Sequence, residues 1–360
     1  MKLISEWVRC EGNPSEPRPH KVDYDLLSRV HLVGVIDLGW AKFRFGELPP
    51  KHKHEPRASV LRFCEREFDF NEYKKSAKNG RYHMPGGAAQ EFSVLITLFT
   101  RVHFVISRYS ETESLSLVQN FNPPPPASTD YEGQDLALKK VNTYFLMLRK
   151  LYEIDQTNGT NKAISFLMAA RFYHLAHSTM SVDRDLAYLC LCSAIECLSE
   201  AYDVGEIDIS EVQPNTAKAL DELALDSRAK QKILDALFKD NRFKIAKRFE
   251  NFICDHVTQD FWNDQTRPSN VYARWGNPQE LRRAVHNIYK ARSRALHKGE
   301  SFPPAMPGVE RDLGLAVTTP TGHWEEAEFV PHVSAFERLV HHVLVEYLRK
   351  ETGSSGVATN

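Results

Sequence analysis

The stretch Arg292-Ser-Arg-Ala-Leu-His297-Lys-Gly299 sets an arginine and a histidine five positions apart at the end of a long amphipathic segment. Arg supplies a permanent cation, and His is the one side chain whose unperturbed pKa lies near neutrality. Those two groups meet the needs of phosphodiester cleavage without a metal. One stabilises charge on the phosphoryl oxygens and the other moves a proton. The plainer reading is a basic helix C-terminus that complements the macrodipole, worth from a few tenths to about 1 kcal/mol.

On a helix of 3.6 residues per turn, five positions amount to about 140° of rotation, so Arg292 and His297 do not share a face. Arg292 continues the apolar stripe Leu281, Val285 and Ile288, which then reaches Leu296. His297 sits above Ser293 and Tyr289, on a polar stripe with His286 and Arg282. Ser293, one turn below, is placed to hydrogen-bond the imidazole and favour one tautomer. A guanidinium that emerges from a packed face needs a partner. Glu196 is the sole carboxylate in the run Cys190-Leu-Cys-Ser-Ala-Ile-Glu-Cys-Leu198. It either orients Arg292 across a helix interface or reaches solvent at a helix edge.

Arg294 and Lys298 flank the pair as candidate phosphate contacts. Lys244, Lys247 and Arg248, interleaved with Phe243 and Phe249, have the make-up of a patch that tracks a nucleic-acid backbone, and equally of a solvated helix face. His174 and His177 have the spacing of two metal ligands, but no third ligand pattern accompanies them, so they read as core or edge histidines. His52, His54, His341 and His342 read as solvated. Cys190, Cys192 and Cys197 lack zinc-site spacing. Gly86-Gly87 after Pro85 reads as a turn, since no Lys-Ser/Thr follows, and no Gly-x-Ser-x-Gly elbow is present. The expectation is a chain with no metal and no cofactor.

The clearest boundary in the chain is the tract 122–134 with four consecutive prolines, Pro123 to Pro126, which cannot continue a helix or a central strand. Before it, 31–37 and 59–70 read as strands, and 88–108 as a helix running into a strand. After it, helical spacing predicts helices over 141–154, 163–177, 183–202, 216–224, 227–238, 242–257 and 333–350. The helix at 183, opened by Ser181 or Asp183, is apolar almost all round and should be the central one. The helix carrying Arg292 opens at Asn277-Pro278-Gln279-Glu280, a cap, a first-turn proline and an acidic third position, and stops at Gly299. The resulting division is an N-terminal α+β domain over 1–121, a proline-rich linker over 122–135, a helical domain over 136–352 and a flexible tail over 353–360.

At 360 residues the chain can hold two cores, and 42% apolar with 26% charged residues is an ordinary globular balance. No apolar run reaches membrane-spanning length, and the N-terminus turns charged too early for a signal peptide. Six scattered cysteines, three in one apolar helix, suggest a reducing compartment, so a cytoplasmic protein is expected. A net charge of −1 argues against a protein that coats nucleic acid non-specifically. Residues 239–300 nevertheless hold 13 Lys plus Arg against 7 Asp plus Glu, a local surplus of +6 that can hold a polyanion.

Two segments together, Tyr289-Lys-Ala-Arg292-Ser-Arg-Ala-Leu-His297-Lys-Gly299 and Ala194-Ile-Glu196-Cys-Leu198, resemble the HEPN superfamily, most closely the Apea-like HEPN proteins of bacterial defence systems. The resemblance covers the helical part, roughly 161–350. It implies a four- or five-helix bundle that dimerises and brings two Arg/His pairs into one composite cleft. It further implies a metal-independent endoribonuclease in antiviral defence or a stress response, with Arg292 and His297 catalytic and Ser293, Glu196 and Tyr289 supporting. RNA would be the partner, and the N-terminal domain would answer a phage-derived or nucleotide trigger. The alternative within the same family is a non-catalytic dimerisation or nucleotide-binding module.

Overall fold

The computed structural model describes residues 3–5, 7–8, 20–28, 32–33, 35–37, 41–44, 57–65, 87–108, 136–137, 139–180, 182–205, 214–223, 226–239, 242–263, 277–302, 330–331 and 333–354. Most of these residues are helical. In chain order the elements are β1 (His20–Ser28), β2 (Leu32–Val33), β3 (Val35–Asp37), β4 (Ala41–Arg44), β5 (Arg57–Glu65), α1 (Gly87–Thr100), β6 (Val105–Arg108) and β7 (Leu136–Ala137). There follow α2 (Lys139–Asn158), α3 (Lys162–Thr179), α4 (Arg184–Ser199), α5 (Pro214–Glu222), α6 (Ser227–Lys239), α7 (Arg242–His256), α8 (Gln259–Asn263), α9 (Pro278–Lys298) and α10 (Val333–Glu351). Among the described residues no helix is long and apolar enough to cross a membrane.

Five strands form one sheet in the order β3-β4-β5-β1-β6, every neighbouring pair antiparallel. His20 lies opposite Glu65 and Ser28 opposite Arg57. A separate parallel pair joins β2 to β7, with Leu32 opposite Leu136. The segment expected as a strand over 31–37 is thus split into β2 and β3, and that over 59–70 is β5, with residues 66–70 outside the described ones. The proline tract also lies outside them.

The segment before the tract is, as expected, a helix, α1, followed by a strand, β6. Nearly every residue of α1 is buried, and Phe92 stacks on Phe145 of α2 at 5.3 Å between ring centroids. Leu3, Ile4, Trp7 and α1 belong to the same hydrophobic cluster as α2, α3, α4, α7, α9 and α10. The turn from α1 into β6 is made by side chains that replace the lost helical bonds. Thr97 Oγ1 accepts from the Phe104 backbone N at 3.1 Å, and the Ser93 hydroxyl donates to Phe104 O at 2.8 Å. At the bend Arg101 has φ 57, the one non-glycine residue with positive φ among those described. That conformation costs an L-residue about 1–2 kcal/mol.

Arg101 is held there by Glu337 of α10. Its Nε and Nη2 donate to Glu337 Oε1 and Oε2 at 3.1 and 2.7 Å, a bidentate pair with both side chains buried. The Tyr173 hydroxyl and His177 Nε2 of α3 donate to the same Oε1. Burial alone would push the Glu337 carboxyl up, but the Arg101 charge and the bonds from His177 and Arg101 outweigh it and hold it well below the usual range. This cluster ties α1, α3 and α10 together.

The helices after the tract match the sequence reading closely. Asp183 caps α4, its Oδ1 accepting from Leu186 N at 3.0 Å, and Ser181 lies outside the described residues. Asn161, at the start of α3, makes no side-chain cap. Asp155 of α2 takes that role, accepting from Ala163 N at 2.6 Å. As expected, α4 is central, packing against α3, α7, α9 and α10.

Candidate functional site

The helix that bears Arg292 and His297 is fixed at both ends by its sequence. Asn277 Oδ1 accepts from the backbone N of Gln279 and of Glu280, each at 3.0 Å, and Pro278 needs no donor partner at the first helical position. At the far end Gly299 takes φ 68 and its N donates to Ala295 O at 3.1 Å. The buried face of α9 (Leu281, Ala284, Val285, Asn287, Ile288, Ala291) packs on α4 and α7. The apolar stripe stops there. Leu296, expected to extend it, is 52% exposed, as is the whole end of the helix from Leu296 to Gly299.

Arg292 Nη2 donates to Glu196 Oε2 at 2.7 Å, the contact expected from the lone carboxylate of α4, so Glu196 does not simply reach solvent. Both side chains keep 21% exposure, which makes this a half-buried pair. The guanidinium also lies 5.6 Å from the centre of the Tyr289 ring, which in turn packs on Phe249. Burial pushes the Glu196 carboxyl up, and Arg292 opposes it. Burial, followed by the Glu196 charge, likewise raises the Tyr289 phenol.

His297 is exposed on the other side of the helix end. Ser293 is half-buried, and among the described residues no hydrogen bond joins it to His297, contrary to the expectation. Arg294 and Lys298 both lean on Glu300, at 3.4 and 3.8 Å, which neutralises part of the local positive charge. The helix end therefore carries an anchored Arg on its packed side and an unanchored His on its open side.

Of the second basic group, the Lys244 and Phe243 side chains lie outside the described residues. Lys247 and Arg248 are half-buried. Phe249 is fully buried against Tyr289 and cannot offer a stacking surface. Histidine assignments divide. His177 is a core residue on Glu337 and His174 Nε2 donates to Phe104 O at 2.9 Å, as a core reading requires. His341 and His342 are half-buried, not fully solvated. His341 Nε2 is buried without a hydrogen-bond partner among the described residues, and His342 Nε2 accepts from Thr258 N at 3.3 Å. Both are half-buried on α10, between the buried Val340 and Val343, a position that a pair of adjacent histidines does not reveal in sequence. His52 and His54 lie outside the described residues. Burial pushes the Cys192 and Cys197 thiols up, the latter to about 11, so neither is a thiolate nucleophile near neutrality.

A further group went unassigned in the sequence. His286 Nδ1 lies 2.6 Å from Glu250 Oε1, and Arg282 Nη1 donates to Asn251 Oδ1 at 3.0 Å. His286 and Arg282 were legible only as members of a polar stripe. Their partners are half-buried on α7, and no local pattern in the sequence links residues 31 and 36 positions apart.

No protein-family model, curated protein or solved structure matches the chain.

Proposed function

We propose that the chain is a metal-independent endoribonuclease of the HEPN type, acting in the cytoplasm in antiviral defence or a stress response. In this reading the helical part is a HEPN-like bundle. The residues before the proline tract form an α+β part, joined to the bundle's core through α1, that senses a phage-derived or nucleotide trigger. The observation that supports it best is the Arg292–Glu196 contact, which places a fixed guanidinium at the end of α9, one and a half turns before an exposed His297. His297 takes the proton from an RNA 2′-OH, or gives one to the leaving 5′-oxygen. The 2′-oxygen bonds to phosphorus as the 5′-oxygen departs, leaving a 2′,3′-cyclic phosphate. Arg292 stabilises the charge that gathers on the phosphoryl oxygens. Ser293, Tyr289 and Glu196 support the pair, and Arg294 and Lys298 contact flanking phosphates. Because Arg292 and His297 lie on different sides of one helix, a homodimer that adds a second copy's pair completes the site.

One observation favours a second reading, a non-catalytic dimerisation or nucleotide-binding module. Arg292 already has its carboxylate, so it can serve the fold alone. Incubation of RNA with the purified protein in EDTA, beside Arg292→Ala and His297→Ala, separates the two. Cleavage that survives the chelator and drops at least a hundredfold in each variant supports the nuclease. Equal cleavage by all three proteins removes it.

A further inference from the structure

Arg282 and His286 differ from Arg292 and His297 in one geometric respect. They are four residues apart, about 40° around the helix, and so share a face. Each is held from the neighbouring helix by one of two consecutive residues. Glu250 of α7 takes His286 Nδ1, and Asn251 takes Arg282 Nη1. Side chains of Glu250, Gln279, Arg282, Arg283 and His286, with Pro278, line an open depression of about 430 Å³ between α7 and the start of α9. The Glu250 side chain is 13% exposed and that of His286 59%, so the carboxylate lies behind the imidazole and the imidazole faces outward. The hydrogen bond to Glu250 is the largest influence on His286 and raises its pKa, which favours the cationic ring, whose second N–H donor, Nε2, is not the atom bound to Glu250. Arg282, with one nitrogen on Asn251, keeps the remaining edge of its fork for a ligand. Two donors on one face, each braced from behind, make a cradle for a phosphate oxygen pair.

We propose that this depression is a phosphate-binding subsite, in which Arg282 and His286 hold the backbone of an RNA strand that runs along α9 to His297. The inference rests on the reading of the helix end as a ribonuclease site. Eleven residues separate His286 from His297, about 16 Å along the helix axis. At roughly 3.4 Å per nucleotide of a stacked strand, that span is about five nucleotides. The contact is to phosphate, so it is indifferent to base sequence and sensitive to salt.

The test is fluorescence anisotropy in EDTA with a labelled 2′-O-methyl oligouridine of twelve nucleotides, which has no free 2′-OH and cannot be cleaved. For the double variant Arg282→Gln/His286→Gln we expect about tenfold weaker binding. We also expect the slope of log K against log salt to shrink by about 1.4, from two lost contacts at roughly 0.7 each. The same loss is expected with oligoadenosine. Arg228→Gln, which removes an exposed cation from α6, should leave both quantities unchanged. Unaltered affinity and slope in the double variant, an equal loss in Arg228→Gln, or no binding by the unmutated protein overturns the subsite. The catalytic reading fails separately, if Arg292→Ala and His297→Ala cleave normally while the double variant loses binding.

Discussion

Glu196 gives one oxygen to Arg292, while its other oxygen, Oε1, is buried without a hydrogen-bond partner among the described residues. A carboxylate so placed depends on the one cation beside it. Arg292→Ala should therefore destabilise the protein by about 1–3 kcal/mol in urea unfolding, more than an exposed pair and less than a fully buried one. Glu196→Gln should cost about 1–2 kcal/mol, since an amide can still face the guanidinium. The double variant Arg292→Ala/Glu196→Gln should lose less than the two single losses added together, with a coupling of about 1 kcal/mol or more. Strict additivity would show that the contact is not formed in solution. At the end of the same helix, Gly299 has open space where a Cβ would sit, so its requirement is φ 68 alone. Gly299→Ala should cost about 1–2 kcal/mol and Gly299→Asn clearly less, because Asn tolerates the left-handed conformation. Equal Tm values for the two variants would contradict that account.

At the level of elements, α9 shows why some of the structure is legible from sequence. Its start and stop are written in Asn277, Pro278 and Gly299, groups that act within a few residues of themselves. Asn277→Ala removes the acceptor for two backbone donors and should cost about 1 kcal/mol, read as a lower urea midpoint with an unchanged m-value. The Glu196–Arg292 contact was legible as one of two readings, because a lone carboxylate on an apolar helix either finds a cation or reaches solvent. The Arg101–Glu337 pair was not. Its members are 236 residues apart, and each looks like an ordinary charge in its own segment. The helix α1 and the strand β6 were legible in 88–108, although a helix packed on nearly every side has no polar face to mark it. Leu296 failed as a stripe residue because periodicity says which side a residue occupies and nothing about whether another element covers it.

Across the whole molecule, three histidines whose folded pKa is depressed shape how stability responds to acid. Burial, followed by the charge of His174 and His177, pushes His103 down to about 2. Burial pushes His174 down to about 4, against the bond to Phe104 O. Burial, followed by the Arg101 charge, pushes His341 down to about 3. All three are neutral in the folded protein, whereas in the unfolded chain each takes a proton near pH 6.5. The unfolded state thus binds more protons at any pH between those values, so stability rises with pH there and falls as the solution is acidified. Each histidine's contribution is complete above about pH 6.5 and is lost below it, at up to about 1.4 kcal/mol per pH unit. Glu337 acts in a lower window. Its folded pKa is depressed, so its contribution persists down to the ordinary carboxylate range and vanishes only below it. Between pH 7 and pH 5 these three histidines outweigh the opposite contribution of His286, whose raised pKa adds stability as pH falls, and Tm should fall over that interval. His103 has both ring nitrogens buried without a partner among the described residues, so His103→Phe removes a proton acceptor and breaks no hydrogen bond. That variant should match or exceed the parent Tm at pH 7 and show a shallower decline towards pH 5. A parent Tm that stays level from pH 7 to pH 5 would mean that water reaches these rings and that the junction of α1, α3 and α10 is not a closed core.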